Sequence, residues 1–259
     1  MSKRIPWLTL ALALATAGVI VALVFMMLAR SRNARVAAKT RHAAEMVMLG
    51  DYGRAIADYD AALLERPGDV TLLEVRATFK YAAGDLAGAQ ADCEAAIAGG
   101  SRGAWGTRGA IKAMRGDLDG AMADYAEALK LNPADGAAWA CRADTLRLKG
   151  DFAAALPAYD AAIRYGATPP RAWRGRSEVR FRTGNYEGAK ADAGEAIARN
   201  GTDPEAWFLR ASASKALGDA KGALADCRRA LEVGAQEWPK RGDVEKWVES
   251  LEAEVASGE

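Results

Sequence analysis

The chain has 259 residues, 51% of them hydrophobic and 27% charged, with a net charge of +1. That composition supports a packed core and argues against wholesale disorder. The net charge hides an asymmetry: residues 1–35 carry Lys3, Arg4, Arg30, Arg32 and Arg35 and no acid, so the remainder stands at −4. A mildly acidic body excludes a general nucleic-acid binder, which needs a basic surface to displace counterions.

Residues 5–29 contain no charge, a run of 25. An apolar helix of about 20 residues crosses a bilayer, and Trp7 stands near one end, where its ring favours the headgroup level. Ala15-Thr16-Ala17 has the small-x-small form of a signal-peptide cleavage site. The apolar run nevertheless continues through Val24-Phe25-Met26-Met27-Leu28, so an uncleaved anchor is the expectation, with the lipid bilayer as partner through residues 5–29. Arg30, Arg32, Arg35, Lys39 and Arg41 follow the span, against Lys3, Arg4 and the α-amine before it. Positive residues prefer the cytoplasmic side, which places the body in the cytoplasm; a signal-anchor reading of the short basic N-terminus would place it in the periplasm or outside. Between Gly18 and Gly50 there is neither Gly nor Pro. The membrane helix is therefore expected to run unbroken into the body, from about Pro6 to Leu49, with a hinge at Ser31–Asn33 as the rival.

From there the chain repeats itself. Trp105, Trp139, Trp173 and Trp207 are each 34 residues apart. Gly followed by Asp or Asn recurs at Gly50, Gly84, Gly116, Gly150, Gly184 and Gly218. Five residues after each Gly stands an alanine (Ala55, Ala89, Ala121, Ala155, Ala189, Ala223), and twelve after it another (Ala62, Ala96, Ala128, Ala162, Ala196, Ala230). Each unit reads as two helices. The Gly closes the first by taking a left-handed conformation, the Asp or Asn caps the second, and alanines seven apart on one face let the helices approach closely. Pro67, Pro133, Pro170 and Pro204, or Gly99-Gly100, punctuate the ends of second helices.

This pattern resembles the tetratricopeptide repeat family, most closely at Ala138-Trp139, Ala143, Gly150-Asp151-Phe152, Ala155, Tyr159 and Ala162. The resemblance implies an all-α fold: a right-handed superhelix of about six helix pairs spanning 36–69, 70–101, 102–135, 136–169, 170–203 and 204–237. Residues 1–35 form the anchor and its basic flank. Residues 238–259 form a capping helix and tail, with Val244, Trp247, Val248, Leu251 and Val255 at helical spacing.

A charged column runs through the repeat. His42, Arg76, Arg108, Arg142, Arg176 and Arg210 stand on the first helices; Asp58, Asp92, Asp124, Ala158, Asp192 and Asp226 stand on the second. Arg is missing only in the first unit, which has no predecessor. That favours pairing across units: Asp58–Arg76, Asp92–Arg108, Asp124–Arg142 and Asp192–Arg210, with Arg176 facing Ala158 and needing another partner.

Chemistry-bearing motifs are absent. His42 is the single histidine. Cys93, Cys141 and Cys227 sit in separate units, and Cys93 and Cys227 share the apolar column of Tyr59, Tyr125 and Tyr159, as small core residues. No zinc, nucleotide or nucleophile motif is present. No catalytic residue, cofactor or metal is expected, and no enzyme.

Stacked helix pairs turn their first helices toward a concave groove. The positions facing it include Tyr81, Arg147, Arg171, Arg174, Glu178, Phe181, Phe208 and Lys215, with Glu74 and Thr78 earlier. The later half is basic with aromatics, which suits an extended acidic peptide with apolar anchors. No Asn stands on the first helices beyond Asn33, which disfavours a carboxylate clamp. The expected role is a membrane-anchored protein-interaction scaffold, an assembly factor or accessory subunit of a membrane complex, whose partners are other proteins and not nucleic acid. The alternative is a chaperone-like holdase for membrane or secreted proteins.

Overall fold

The computed structural model describes residues 7–166 and 170–257, with side chains from residue 21 onward. Among the described residues there are thirteen helices and no strand. They are α1 (Trp7–Met48), α2 (Tyr52–Glu65), α3 (Val70–Ala82), α4 (Leu86–Ala98), α5 (Ala104–Met114), α6 (Leu118–Leu131), α7 (Gly136–Leu148), α8 (Phe152–Arg164), α9 (Pro170–Arg182), α10 (Tyr186–Arg199), α11 (Pro204–Ala216), α12 (Ala220–Val233) and α13 (Arg241–Ser257). The chain divides into two compact units, residues 1–107 and 108–259.

The turn inside each helix pair follows from two residue types. Gly50, Gly84, Gly116, Gly150, Gly184 and Gly218 all take positive φ, between 76° and 85°. A side chain would strain that conformation. It lets the next N–H reach back to the first helix, as Asp85 N does to Lys80 O at 2.9 Å. The following Asp or Asn then caps the second helix: the Asp51, Asp85, Asp117, Asp151, Asn185 and Asp219 side chains each accept a hydrogen bond from the N–H three residues on.

With the turn set, the alanines meet the partner helix. All six alanines five residues after the turn glycine are fully buried, as are five of the six in the second column, Ala128 being 3% exposed. In the C-terminal unit, Ala143, Leu146, Ala155, Tyr159, Ala172 and Val179 form one core cluster. Cys227, Ala223, Ala230, Trp238, Val244 and Leu251 form another. The latter joins α13 to α12, so the C-terminal helix covers the last pair as its apolar spacing implies. Trp139 and Trp207 are half-buried against these clusters and anchor themselves by donating Nε1–H to Pro133 O and Gly201 O, both at 2.9 Å.

The charged column pairs within units, which corrects the cross-unit expectation. Arg76 donates to Asp92, Arg108 to Asp124, Arg176 to Asp192 and Arg210 to Asp226, each through both Nε and a terminal nitrogen at 2.6–2.9 Å. The reason is symmetry. Each Arg stands eight residues before its turn glycine and each Asp eight after it, so antiparallel helices bring the two level. The first unit is not an exception, because His42 takes the Arg position and meets Asp58. Arg176 is not short of partners: it holds Asp192 and, through Nη1, Asp160 of the preceding unit. Arg76 likewise reaches Asp60 at 2.6 Å. The consequence of Ala158 falls on Arg142 instead. Its Nε, the atom that binds Asp elsewhere, is buried without a hydrogen-bond partner, while its guanidinium lies over Trp139, 5.2 Å from the ring centroid.

Helix α1 is continuous for 42 residues, about 63 Å at 1.5 Å per residue. Residues 31–33 are helical, so no hinge interrupts it; Ser31 Oγ instead donates to Leu28 O within the helix. Pro6 lies outside the described residues. So do residues 1–6 and the side chains of 7–20, which carry most of the uncharged run. Among the described residues no helix is long and apolar enough to cross a membrane.

Two outcomes test this packing. Ala155→Leu should overpack the α7–α8 contact and cost about 1–3 kcal/mol, seen as a lower melting temperature. A double-mutant cycle on Arg210 and Asp226 should give a coupling of about 0.5–3 kcal/mol, whereas Asp192 and Arg210 should be additive.

Candidate protein-binding groove

In the C-terminal unit the inward faces of α7, α9 and α11, with the segment before α13, enclose a groove of about 740 Å³. Repeat periodicity places its residues. Arg171, Arg174, Glu178 and Phe181 lie along one stripe of α9, at the three- and four-residue spacings that share a helix face. Arg147 contributes from α7 and Phe208 from α11. A shallower, mainly apolar recess continues from it, lined by Phe181, Phe208, Ala216 and Trp247 with Lys215 and Asp243 at its edge. Seven of the eight expected residues thus lie together. Tyr81 does not join them: it stands on α3, in the other unit.

The cations of the groove are paired with carboxylates, which the basic reading of the sequence did not include. Arg147 bonds Glu178 at 3.0 Å and Arg182 bonds the other oxygen of Glu178 at 3.2 Å. Arg171 Nε donates to Asp144 at 2.6 Å, and Asp144 also accepts from the Tyr159 hydroxyl at 2.6 Å. Arg174 pairs with Asp203 at 3.0 Å, and Lys240 with Glu205 at 2.8 Å. Lining the groove are five cations (Arg147, Arg171, Arg174, Arg182, Lys240) and three carboxylates (Asp144, Glu178, Glu205), an excess of two positive charges. Burial and the Asp144 charge push the Tyr159 hydroxyl far above its ordinary range, so it stays a donor. Burial opposes the charge on Arg147, but Glu178 and the neighbouring Tyr159 and Asp144 more than offset it and raise its pKa. Gly175 is required here, because a Cβ would fall 2.3 Å from the Tyr159 oxygen.

The groove aromatics are half-buried, and Phe208 is held edge to face by two tryptophans. Phe208 lies 5.7 Å from Trp247 and 6.4 Å from Trp238, with Lys240 Nζ 4.9 Å from its ring centroid. Phe181 packs on Tyr186 at 5.4 Å. Lys215 is tied to Glu254 of α13. Sequence reasoning passed over Asp144, Glu205 and Ser212, although all three stand in the groove-facing columns of their units. Lys240 follows the last repeat, so periodicity carried no signal for it; the apolar spacing of the C-terminal helix announced Trp247 but not its place in the recess.

The family model described as tetratricopeptide repeat matches residues 47–104, 112–172, 142–199 and 174–240. The chain belongs to the tetratricopeptide repeat family. No curated protein sequence matches it significantly. Among solved structures it resembles a tetratricopeptide repeat protein from Parabacteroides merdae, with TM-score 0.60 and 19% identity over 84% of this chain and 89% of that one. It also resembles PilW, described as a widely conserved type IV pilus biogenesis factor, with TM-score 0.68 and 20% identity over 81% and 97%. A third is YrrB, described as having an unusual peptide-binding site, with TM-score 0.55 and 14% identity over 69% and 93%. At these identities the likeness shows the fold alone. The family's general work is protein–protein interaction.

Cys93 and Cys227 lie in the core, as their shared apolar column implies. Cys93 and Cys227 are buried and Cys141 half-buried, none in a disulfide. Burial, then the adjacent Asp226 charge, pushes the Cys227 thiol up to about 12. A raised pKa keeps it protonated and unreactive at neutral pH. Native protein at pH 8 should therefore leave Cys227 unmodified by iodoacetamide, with modification appearing only in denaturant; mass spectrometry reads the difference.

Proposed function

We propose that this chain is a membrane-anchored protein-interaction scaffold whose C-terminal groove receives an extended, acidic peptide segment of a partner carrying an apolar anchor side chain. The observation that carries the reading is the α9 stripe of Arg171, Arg174 and Phe181 beside Phe208, which puts cations and aromatic rings in the lining of one groove. Intramolecular carboxylates already pair with the arginines: Glu178 with Arg147, Asp144 with Arg171 and Asp203 with Arg174. An incoming carboxylate then exchanges for one already present, which favours specificity over raw affinity. The recess at Phe181, Phe208 and Trp247 offers the apolar contact area that such an exchange lacks. An assembly factor or accessory subunit of a membrane complex is the role we assign, and the biogenesis factor among the structural neighbours is consistent with it. We assign no catalytic step to the chain.

The anchor is part of the same proposal. Its support is the 25-residue uncharged run of residues 5–29, the continuous helix α1, and the described part of the run, where Val21 and Leu23 to Leu28 are all at least 44% exposed. Apolar side chains exposed around a helix, followed at once by arginines, fit a span leaving a bilayer toward a cytoplasmic body.

A labelled acidic peptide with one aromatic residue should bind the full chain in detergent, by fluorescence anisotropy. Phe208→Ala and Arg174→Gln should each weaken binding about tenfold or more, equal to about 1.4 kcal/mol, and added salt should weaken it further. Unchanged affinity in both folded variants would place the partner elsewhere. Indiscriminate binding of unrelated unfolded chains would favour a holdase.

A further inference from the structure

The two ends of the N-terminal unit differ in charge. At one end lie residues 29–35 of α1 and the turns at 64–70 and 99–103, which carry Arg30, Arg32, Arg35, Arg66 and Arg102 against Glu65 and Asp69, a balance of +3. At the other end lie residues 45–54 and 81–88, which carry Glu45, Asp51 and Asp85 against Arg54, a balance of −2. The basic end is the one from which the apolar part of α1 emerges. Helix α2 runs antiparallel to α1 and is fastened to it there. Arg35 makes two hydrogen bonds to Glu65, at 2.7 and 2.9 Å, and Arg66 bonds Asn33 and, at 3.3 Å, Asp69. Beside these pairs Leu64 is left 84% exposed. Arg30 and Arg32 are exposed and make no ion pair within 4.0 Å among the described residues, although the Arg32 charge acts on Glu65 from farther away.

We propose that this end of the unit docks on an anionic bilayer surface, with Leu64 in the interface and Arg30, Arg32 and Arg66 among the lipid headgroups. The proposal rests on the reading of residues 5–29 as an anchor and adds a second contact to it. The distances fit. Asn33, level with Arg66, lies four residues past Ala29, about 6 Å along the helix, and the headgroup layer of one leaflet is about 5–8 Å deep. Leu64, two residues back along α2, stands about 3 Å farther out. A tilt of about 20°, average for membrane helices, brings it down to the interface. Because α1 is unbroken and α2 is pinned to it, the contact fixes the orientation of the whole N-terminal unit rather than shortening a tether. The positive end faces the negative leaflet, and the negative end faces away.

Spin-label accessibility tests this on the full chain in phosphatidylcholine vesicles with and without phosphatidylserine. The half-buried Cys141 is changed to Ala, and single labels are placed through Met26→Cys, Leu64→Cys and Met48→Cys. Met48 is the control, being as exposed as Leu64 but at the opposite end of the unit. The label at 26 should read hydrocarbon. The label at 64 should be several-fold better shielded from a water-soluble nickel chelate than the label at 48, and that shielding should fall in neutral vesicles or with Arg30→Gln and Arg32→Gln together. An aqueous signal at 64, equal to that at 48, beside a hydrocarbon signal at 26 overturns the docking and leaves the anchor standing. An aqueous signal at 26 overturns the anchor and the docking with it. Shielding at 64 that is indifferent to lipid charge and to both arginines overturns the role given to the headgroups.

Discussion

Two buried alanines per second helix, seven residues apart, fix how closely the helices of each pair approach. A larger side chain at either place would force the axes apart, and interiors at crystal-like density have no slack to absorb the change. Much else follows from that spacing. It lets Arg76, Arg108, Arg176 and Arg210 span the gap with a two-point grip on the carboxylate opposite. It also encloses Cys227 of α12 in one core with Ala211 of α11, where a small polarisable side chain fits.

The rungs illustrate how ion pairs work at half-buried positions. Removing a carboxylate from water is costly, and attraction repays the cost only when geometry is good and the remaining lone pairs are filled. Asp92, Asp124 and Asp192 meet that condition by taking a second cation one turn farther along, Lys80, Lys112 and Arg180. Asp124 shows the balance: burial pushes it up, but the hydrogen bonds and charges of Arg108 and Lys112 outweigh burial and leave its pKa lowered. In the fourth unit the same site holds Ala158; Arg142 keeps the stacking on Trp139 that Arg176 makes on Trp173 and Arg210 on Trp207, and its Nε is left without a hydrogen bond. The pairs thus supply register between helices, while burial of Ala, Leu, Tyr and Trp supplies the bulk of the stability.

The groove is built from positions that this packing does not consume. Along α9 the residues facing α10 form rungs, as Arg176 and Arg180 do, and those turned the other way, Arg171, Arg174 and Phe181, line the groove. One helix therefore carries structural and recognition arginines on different faces. Tyr159 links the layers: its ring belongs to the core of the C-terminal unit and its hydroxyl orients Asp144, which in turn holds Arg171.

Helices, turns and caps were legible in the sequence because each depends on residues a few places apart. The 34-residue period, the Gly-Asp turn and the apolar spacing of residues 244–255 are local signals, and the helices fall where they point. Absence of Gly and Pro between Gly18 and Gly50 was likewise enough to foresee one unbroken α1. The groove stripe Arg171–Arg174–Glu178–Phe181 was also readable, since helical spacing alone puts those residues on one face. Partner choice was not so easily read. The missing arginine of the first unit looked like a missing partner, whereas His42 fills the same place. Only the antiparallel hairpin, symmetric about its glycine, shows that residues eight before and eight after the turn must face each other. The same holds for the pairing of the groove arginines with Asp144, Glu178 and Asp203, and for Lys240, which no period announces. Periodicity fixes which face a side chain is on, because that depends on rotation about one helix axis. What it touches depends on the distance and stagger between two axes, and those exist only once the helices have packed.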